Sequence, residues 1–253
     1  MRELTGSSVL VTGGGSGIGA GVARHLVGLG ARVTVSGRRA AKVQAVADEL
    51  GEACRAVPGD VTVPADRERL LAAALDHGGG LDTLVNAAGN MVRGPLDALD
   101  EQQVLGLFHA NVVGPVQLAG LALPALTERR GSIVFFGSVH TQRAFPGASP
   151  YAATKGALEA LTGVLAAELG PRQVRVNCVR PGAVHTEINE RAGLGTAAEG
   201  LARLQGLAPA HALGRIGTVE EIAEAVAYLA AAEWVTGSIL TVDGGLGLGV
   251  TNA

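Results

Sequence analysis

Only two of the 253 residues are cysteine, Cys54 and Cys178, and neither has a C-x-x-C neighbour. That is too few for a disulfide framework, and both stand in apolar strand-like runs. They read as buried, reduced thiols of a cytosolic protein. Charge is sparse too, at 17% of residues, with a formal net charge of −3. No basic block stands out, which argues against a nucleic-acid partner. His25, His77, His109, His140, His185 and His211 show no metal-ligand spacing, so no metal is expected. The first strand-like run begins near Ser8 and leaves no room for a signal peptide. The longest apolar stretches, such as Leu118 to Leu126, fall short of a bilayer, and that one contains Pro124. Together these absences predict a soluble, cytoplasmic protein without membrane contact.

What is present points to a large folded core. Hydrophobic residues make up 47% of the chain, and its 38 glycines are spread along it. Strand-like runs at Ser8–Thr12, Arg32–Ser36, Ala53–Val57, Thr83–Asn86, Ser132–Phe136, Val174–Val179 and Ser238–Val242 alternate with helical stretches. The helices are expected at Gly19–Leu29, Ala40–Leu50, Ala65–Asp76, Glu101–Leu123, Tyr151–Leu169 and Val219–Ala232. This rhythm predicts an α/β fold, a doubly wound parallel sheet with helices on both faces. The strand runs are almost continuously apolar, as they are when both faces are covered. No linker or charge run divides the chain, so residues 1–253 read as one domain. The stretch Glu187–Gly217 breaks the rhythm. It follows a strand's carboxyl end and reads as a lid or substrate loop.

The first strand runs into Thr12-Gly13-Gly14-Gly15-Ser16-Gly17-Ile18-Gly19, and a helix follows. Glycines there let the backbone turn tightly and approach a pyrophosphate, while the helix start offers free N–H groups. A second glycine run, Gly244 to Gly249, has no helix after it and reads as a turn or tail. The second strand ends Ser36-Gly37-Arg38-Arg39, with no acid to bind a ribose 2′-hydroxyl. Arg38 and Arg39 suit a 2′-phosphate, which favours NADP(H) with NAD(H) still possible. The alternative is a solvated pair at a helix start.

These motifs, in this order, resemble the short-chain dehydrogenase/reductase family, and the match runs from Thr12 to Gly245. The family's TGxxxGxG is matched by Thr12, Gly13, Gly17 and Gly19, and its adenine-contacting Asp-Val pair by Asp60 and Val61. Its NAG-type motif is matched by Asn86, Ala87, Ala88 and Gly89, and YxxxK by Tyr151 and Lys155. Pro181, Gly182 and Thr186 match the segment at the nicotinamide end, with Val184 between them. The resemblance implies a single-domain Rossmann fold with seven strands in the order 3-2-1-4-5-6-7, and a homotetramer or dimer. It also implies a catalytic set of Asn111, Ser138, Tyr151 and Lys155. Gly15, Ser16 and Ile18 complete the expected cofactor loop. NADP-preferring relatives often place a basic residue in that loop, where this chain has Ser16.

The implied chemistry is hydride exchange with a ketone or secondary alcohol, most like 3-oxoacyl reduction. Tyr151 would pass the proton, and Lys155, one helical turn away, would lower its pKa. Ser138 would hold the substrate oxygen. Asn111 would hold a water linking Lys155 to solvent. A catalytically silent, cofactor-sensing relative, or an epimerase or dehydratase on the same scaffold, stays open. The substrate region is expected from Met91–Pro95, Ser138–Pro150 and Glu187–Gly217, with His140, Gln142 and Arg143 as polar candidates and His185 flagged beside Thr186.

Overall fold

The computed structural model describes residues 1–249. Seven parallel strands form one sheet: β1 Ser8–Thr12, β2 Arg32–Gly37, β3 Cys54–Pro58, β4 Thr83–Asn86, β5 Ser132–Phe136, β6 Arg175–Pro181 and β7 Ile239–Val242. Their order is β3-β2-β1-β4-β5-β6-β7, as expected. β1 and β5 are buried at every residue, which explains their unbroken apolar runs. β7, at the sheet edge, is partly exposed throughout.

The long helices are α1 Gly17–Gly28, α2 Ala40–Leu50, α3 Pro64–Gly78, α4 Glu101–Phe108, α5 Gly114–Arg129 and α6 Ser149–Leu169. Two short ones follow, α7 Ile188–Arg191 and α8 Ala197–Gln205, and then α9 Val219–Ala231. One core packs α1, α2 and α9 on one face of the sheet, around Val11, Leu26, Val35, Val226 and Leu229. The other packs α3, α5 and α6 on the opposite face, around Leu84, Leu118, Leu126, Phe135 and Leu158. Both thiols are buried and free, and burial pushes each up to about 11, so they are unreactive parts of these cores.

The stretch expected as one helix, Glu101–Leu123, is two helices joined by a π turn, His109–Val113, and it continues to Arg129. At 29 residues this run is long and apolar enough to cross a membrane, longer than its apolar stretches suggested. It packs instead on α3, α6 and β4, as a helix covering a sheet does. The segment 187–217 is more ordered than a loop. α8 begins with a full capping box, Thr196 with Glu199. Its Leu204, with Leu207, packs on Val139, Ala183, Phe145 and Leu246.

The chain reverses direction across the sheet between β1 and β4, which lie side by side. That switch point opens a crevice at the carboxyl ends of the strands.

Candidate active site

A cleft of about 840 Å³ fills this crevice, a volume suited to a cofactor with a small substrate. At one end the chain leaves β1 through Gly13 at φ +69° and enters α1 through Gly17 at φ +52°, both left-handed. A Cβ on Gly13 would lie 2.7 Å from the Ala87 carbonyl oxygen. A Cβ on Gly19 would lie 2.3 Å from the Gly13 carbonyl oxygen. The loop is therefore packed to backbone distance against β4 and itself. Thr12 Oγ1 ties it further by accepting a bond from the Ala88 N–H at 3.1 Å.

Ser16 precedes α1 yet does not cap it. Its hydroxyl instead accepts a hydrogen bond from Arg39 Nη2 at 2.8 Å. There is no acid in the helix's first turn. The first N–H groups of α1 are thus left to a ligand, and the helix dipole favours an anionic one. A dinucleotide pyrophosphate meets these requirements, so the residues fit the nicotinamide cofactor the resemblance implies.

Gly13, Gly15, Ser16, Gly17, Ile18, Gly19, Arg38, Arg39, Asp60, Val61, Ala87, Gly89, Pro181, Gly182, Val184 and Thr186 all line the cleft. Asn86 does not. It is 2% exposed at the end of β4, and neither polar atom of its amide has a partner. The basic end is richer than the sequence suggested. Glu187 pairs with Arg39 at 2.7 Å and with Lys42 at 3.2 Å, while Arg38 donates to Asn90 Oδ1 at 3.1 Å. Lys42 and Glu187 belong to no motif, and only the folded chain brings them together.

At the other end stand Ser138, Tyr151 and Lys155, all lining the cleft and all largely buried. Ser138 follows β5 in a turn anchored to α6 and β6. Arg180 binds Glu159 with two donors, at 2.9 and 2.7 Å, and the Thr141 hydroxyl lies 2.9 Å from the same carboxylate. Pro150 lies in the first turn of α6, just before Tyr151. Burial pushes the Tyr151 phenol up to about 12 and outweighs the opposite pull of the Ser138 hydroxyl.

In the free protein burial sets the direction of the Tyr151 shift, with Lys155 close by. The Lys155 ammonium lies 5.5 Å from the centre of the phenol ring and donates to the Phe136 carbonyl at 3.0 Å. Burial brings Lys155 itself down to about 8. In the free protein both groups pay for desolvation, and both are driven toward their neutral forms.

Asn111 lies behind the cleft wall. It sits in the π turn, is 1% exposed and does not line the cleft. Its Oδ1 accepts from the Asn90 N–H at 2.8 Å, and its Nδ2 donates to the Asn90 carbonyl at 3.0 Å and to Thr154 Oγ1 at 3.1 Å. The side chain clamps the loop after β4 to α6. A π turn at such a position is typical of functional sites.

Of the flagged histidines, His140 belongs to the site and His185 does not. His185 is exposed and lies 3.4 Å from the Ala197 carbonyl. His140 Nδ1 is 3.0 Å from Ser138 Oγ, and its ring meets Tyr151 edge-on at 5.2 Å. Gln142 and Arg143 do not line the cleft, and Arg143 is drawn away to the Leu246 carbonyl at 3.0 Å. The late glycine run is a turn as expected, with Asp243 accepting from the N–H groups of Gly245 and Gly247. It also contributes Leu246 to the cleft, which its composition did not signal.

The family model described as enoyl-(acyl carrier protein) reductase matches residues 13–247. The chain belongs to the short-chain dehydrogenase/reductase family. L-fucose dehydrogenase of Mus musculus is 37% identical, covering 98% of this chain and 91% of its own. Dehydrogenase/reductase SDR family member 4 of Sus scrofa is 34% identical, covering 96% and 88%. The crystal structure of 3-ketoacyl-(acyl-carrier-protein) reductase from Brucella melitensis, complexed with NADH, superposes with a TM-score of 0.87 at 30% identity, covering 96% and 99%.

Proposed function

We propose that this oxidoreductase reduces a ketone, or oxidises the matching secondary alcohol, with NADPH preferred over NADH. The carrying observation is that one cleft joins the glycine cradle of α1 to Ser138, Tyr151 and Lys155. The bound nicotinamide supplies or accepts the hydride at the carbonyl carbon.

The protein's part is to place and protonate the oxygen. Ser138 and Tyr151, both lining the cleft, are the two hydroxyls placed to meet a carbonyl oxygen there. With its phenol held up at about 12, Tyr151 keeps its proton at neutral pH and can donate it as charge develops on that oxygen. Lys155, in the next turn of α6, is the cation placed to stabilise the phenolate left behind. Asn111 and Thr154 hold the wall behind them, and the Thr154 hydroxyl donates to the Tyr151 carbonyl at 2.8 Å. Support for NADPH comes from Arg38, just past β2, which pairs with no carboxylate among the described residues, with Arg39 and Lys42 beside it.

The test is a screen of ketones and secondary alcohols followed at the nicotinamide absorbance with both cofactors. Tyr151→Phe should cut turnover by roughly two orders of magnitude or more while cofactor binding survives. Near-normal turnover in that variant, or equal NADPH and NADH affinity by fluorescence titration, overturns the corresponding half of the reading.

A further inference from the structure

The cleft beyond Tyr151 is walled by apolar side chains, among them Val92, Phe145, Leu204 and Leu207. Two guanidinium groups stand on that wall, Arg93 half-buried in the loop after β4 and Arg203 more exposed on α8. Among the described residues, neither makes an ion pair. Arg93 Nη2 makes one long bond, 3.4 Å to the Pro146 carbonyl, and Arg203 Nη2 donates to the Leu194 carbonyl at 3.1 Å. Glu199, one turn back on α8, is the acid nearest in charge to Arg203, but its carboxylate is engaged with Thr196 in the capping box. The acids that line the cleft, Asp60 and Glu187, are bonded to Thr62 and to Arg39 and Lys42.

The charge of Arg203 also reaches Arg93. Burial, and then the charge of Arg203, hold Arg93 below the ordinary guanidinium range. Arg93 in turn helps to depress His140, after burial. Like charges on one cleft wall repel each other, and an anion between them relieves that repulsion. Their placement is built into the fold, because the apolar packing of Leu204 and Leu207 on Val139, Phe145 and Leu246 seats α8 on the cleft.

We propose that the substrate is an oxo acid, or the corresponding hydroxy acid, with its carboxylate gripped between Arg93 and Arg203 and its carbonyl at Ser138 and Tyr151. This rests on the oxidoreductase reading above. Two planar forks with free donors match a carboxylate's oxygens, whereas a neutral sugar or ester leaves both charges unanswered. The reaction stays balanced: hydride from the nicotinamide goes to the carbonyl carbon, a proton goes to its oxygen, and the carboxylate is unchanged.

The experiment compares oxo acids of short to medium chain length with their methyl esters at saturating NADPH. The wild type should favour the acid by about tenfold or more in kcat/KM, the scale of one charged hydrogen-bonded pair. Arg93→Met and Arg203→Met should each erase that preference, mainly through KM for the acid. In parallel, calorimetry should show octanoate binding more tightly than octanol, with the difference lost in both variants. Equal use of acid and ester, or a preference that survives both substitutions, overturns the proposal and leaves the oxidoreductase reading standing. If no carbonyl is turned over at all, that reading falls. The calorimetry then decides the anion site alone, and equal binding of octanoate and octanol removes it.

Discussion

Glu187 lies 2.7 Å from Arg39, and so ties the start of the substrate-side segment to the end of β2, across the mouth of the glycine cradle. The same carboxylate takes Lys42 at 3.2 Å. A 2′-phosphate arriving there must compete with Glu187 for two of the three cations. Removing that competition should favour NADPH selectively. Glu187→Gln is expected to tighten NADPH binding by about threefold to tenfold and leave NADH nearly unchanged, since a partly exposed ion pair is worth only about 1 kcal/mol. Fluorescence titration with both cofactors checks this. An equal gain for NADH would mean that Glu187 acts on the loop and not on the phosphate.

His140 and Ser138 form the second working pair, with 3.0 Å between Nδ1 and Oγ. Burial, with help from Arg93 and Lys155, brings His140 down to about 4, so its ring is neutral at physiological pH. A neutral ring can orient the Ser138 hydroxyl without adding charge at the carbonyl. His140→Ala should lower kcat about tenfold with little change in cofactor affinity. The sign on stability follows from linkage. Between about 4 and the ordinary value of 6.5 the unfolded chain binds the proton that the folded protein refuses, so stability falls as pH drops through that window. The loss should be on the order of 2 kcal/mol, and His140→Gln should flatten it. Chemical denaturation across that pH range is the measurement.

Much of this was legible in the chain, for identifiable reasons. The sheet order, the glycine cradle and the Tyr151–Lys155 spacing follow from local patterns: apolar strand runs, left-handed positions only glycine fills easily, and the four-residue repeat of a helix turn. What escaped depends on contacts distant in sequence. Glu187 meets Lys42 across 145 residues, and Asn111 meets Thr154 across 43. No spacing rule carries such pairs. The Lys155 neighbour of Tyr151 is visible in the sequence, whereas the burial that raises the phenol in the free protein is not. Gln142, Arg143 and His185 looked like site residues by position along the chain, but none of the three lines the cleft.

Lys155 shows the cost of a functional group in a folded protein. Burial lowers it to about 8, so at pH 7 the ammonium is held where water cannot solvate it. Between about 8 and the ordinary 10.5 the unfolded chain holds more protons, and stability should rise with pH through that range. Lys155→Met removes the buried charge and gives up one bond to the Phe136 carbonyl. The net effect should be a gain on the order of 1–2 kcal/mol, or a few degrees in Tm for a chain of this size, with turnover abolished. A scan of the free enzyme at pH 7 decides the point. A lower Tm would show that the Phe136 bond outweighs the desolvation.

Two glycines in α1 separate the demand of the cofactor loop from the general cost of glycine in a helix. A methyl on Gly19 would sit 2.3 Å from the Gly13 carbonyl oxygen, which is backbone and cannot swing aside. A methyl on Gly28, at the far end of the helix, would meet nothing within 4 Å. Gly19→Ala must therefore push the loop away from α1. It should cost about 1–3 kcal/mol and weaken cofactor binding at least tenfold. Gly28→Ala should stabilise the protein by up to about 1 kcal/mol, because alanine restricts the unfolded chain and fits the helix. Thermal melts with and without cofactor separate the two effects. If Gly19→Ala loses stability but keeps its cofactor affinity, the close packing of the loop serves folding alone, and the free N–H groups of α1 are not what holds the ligand.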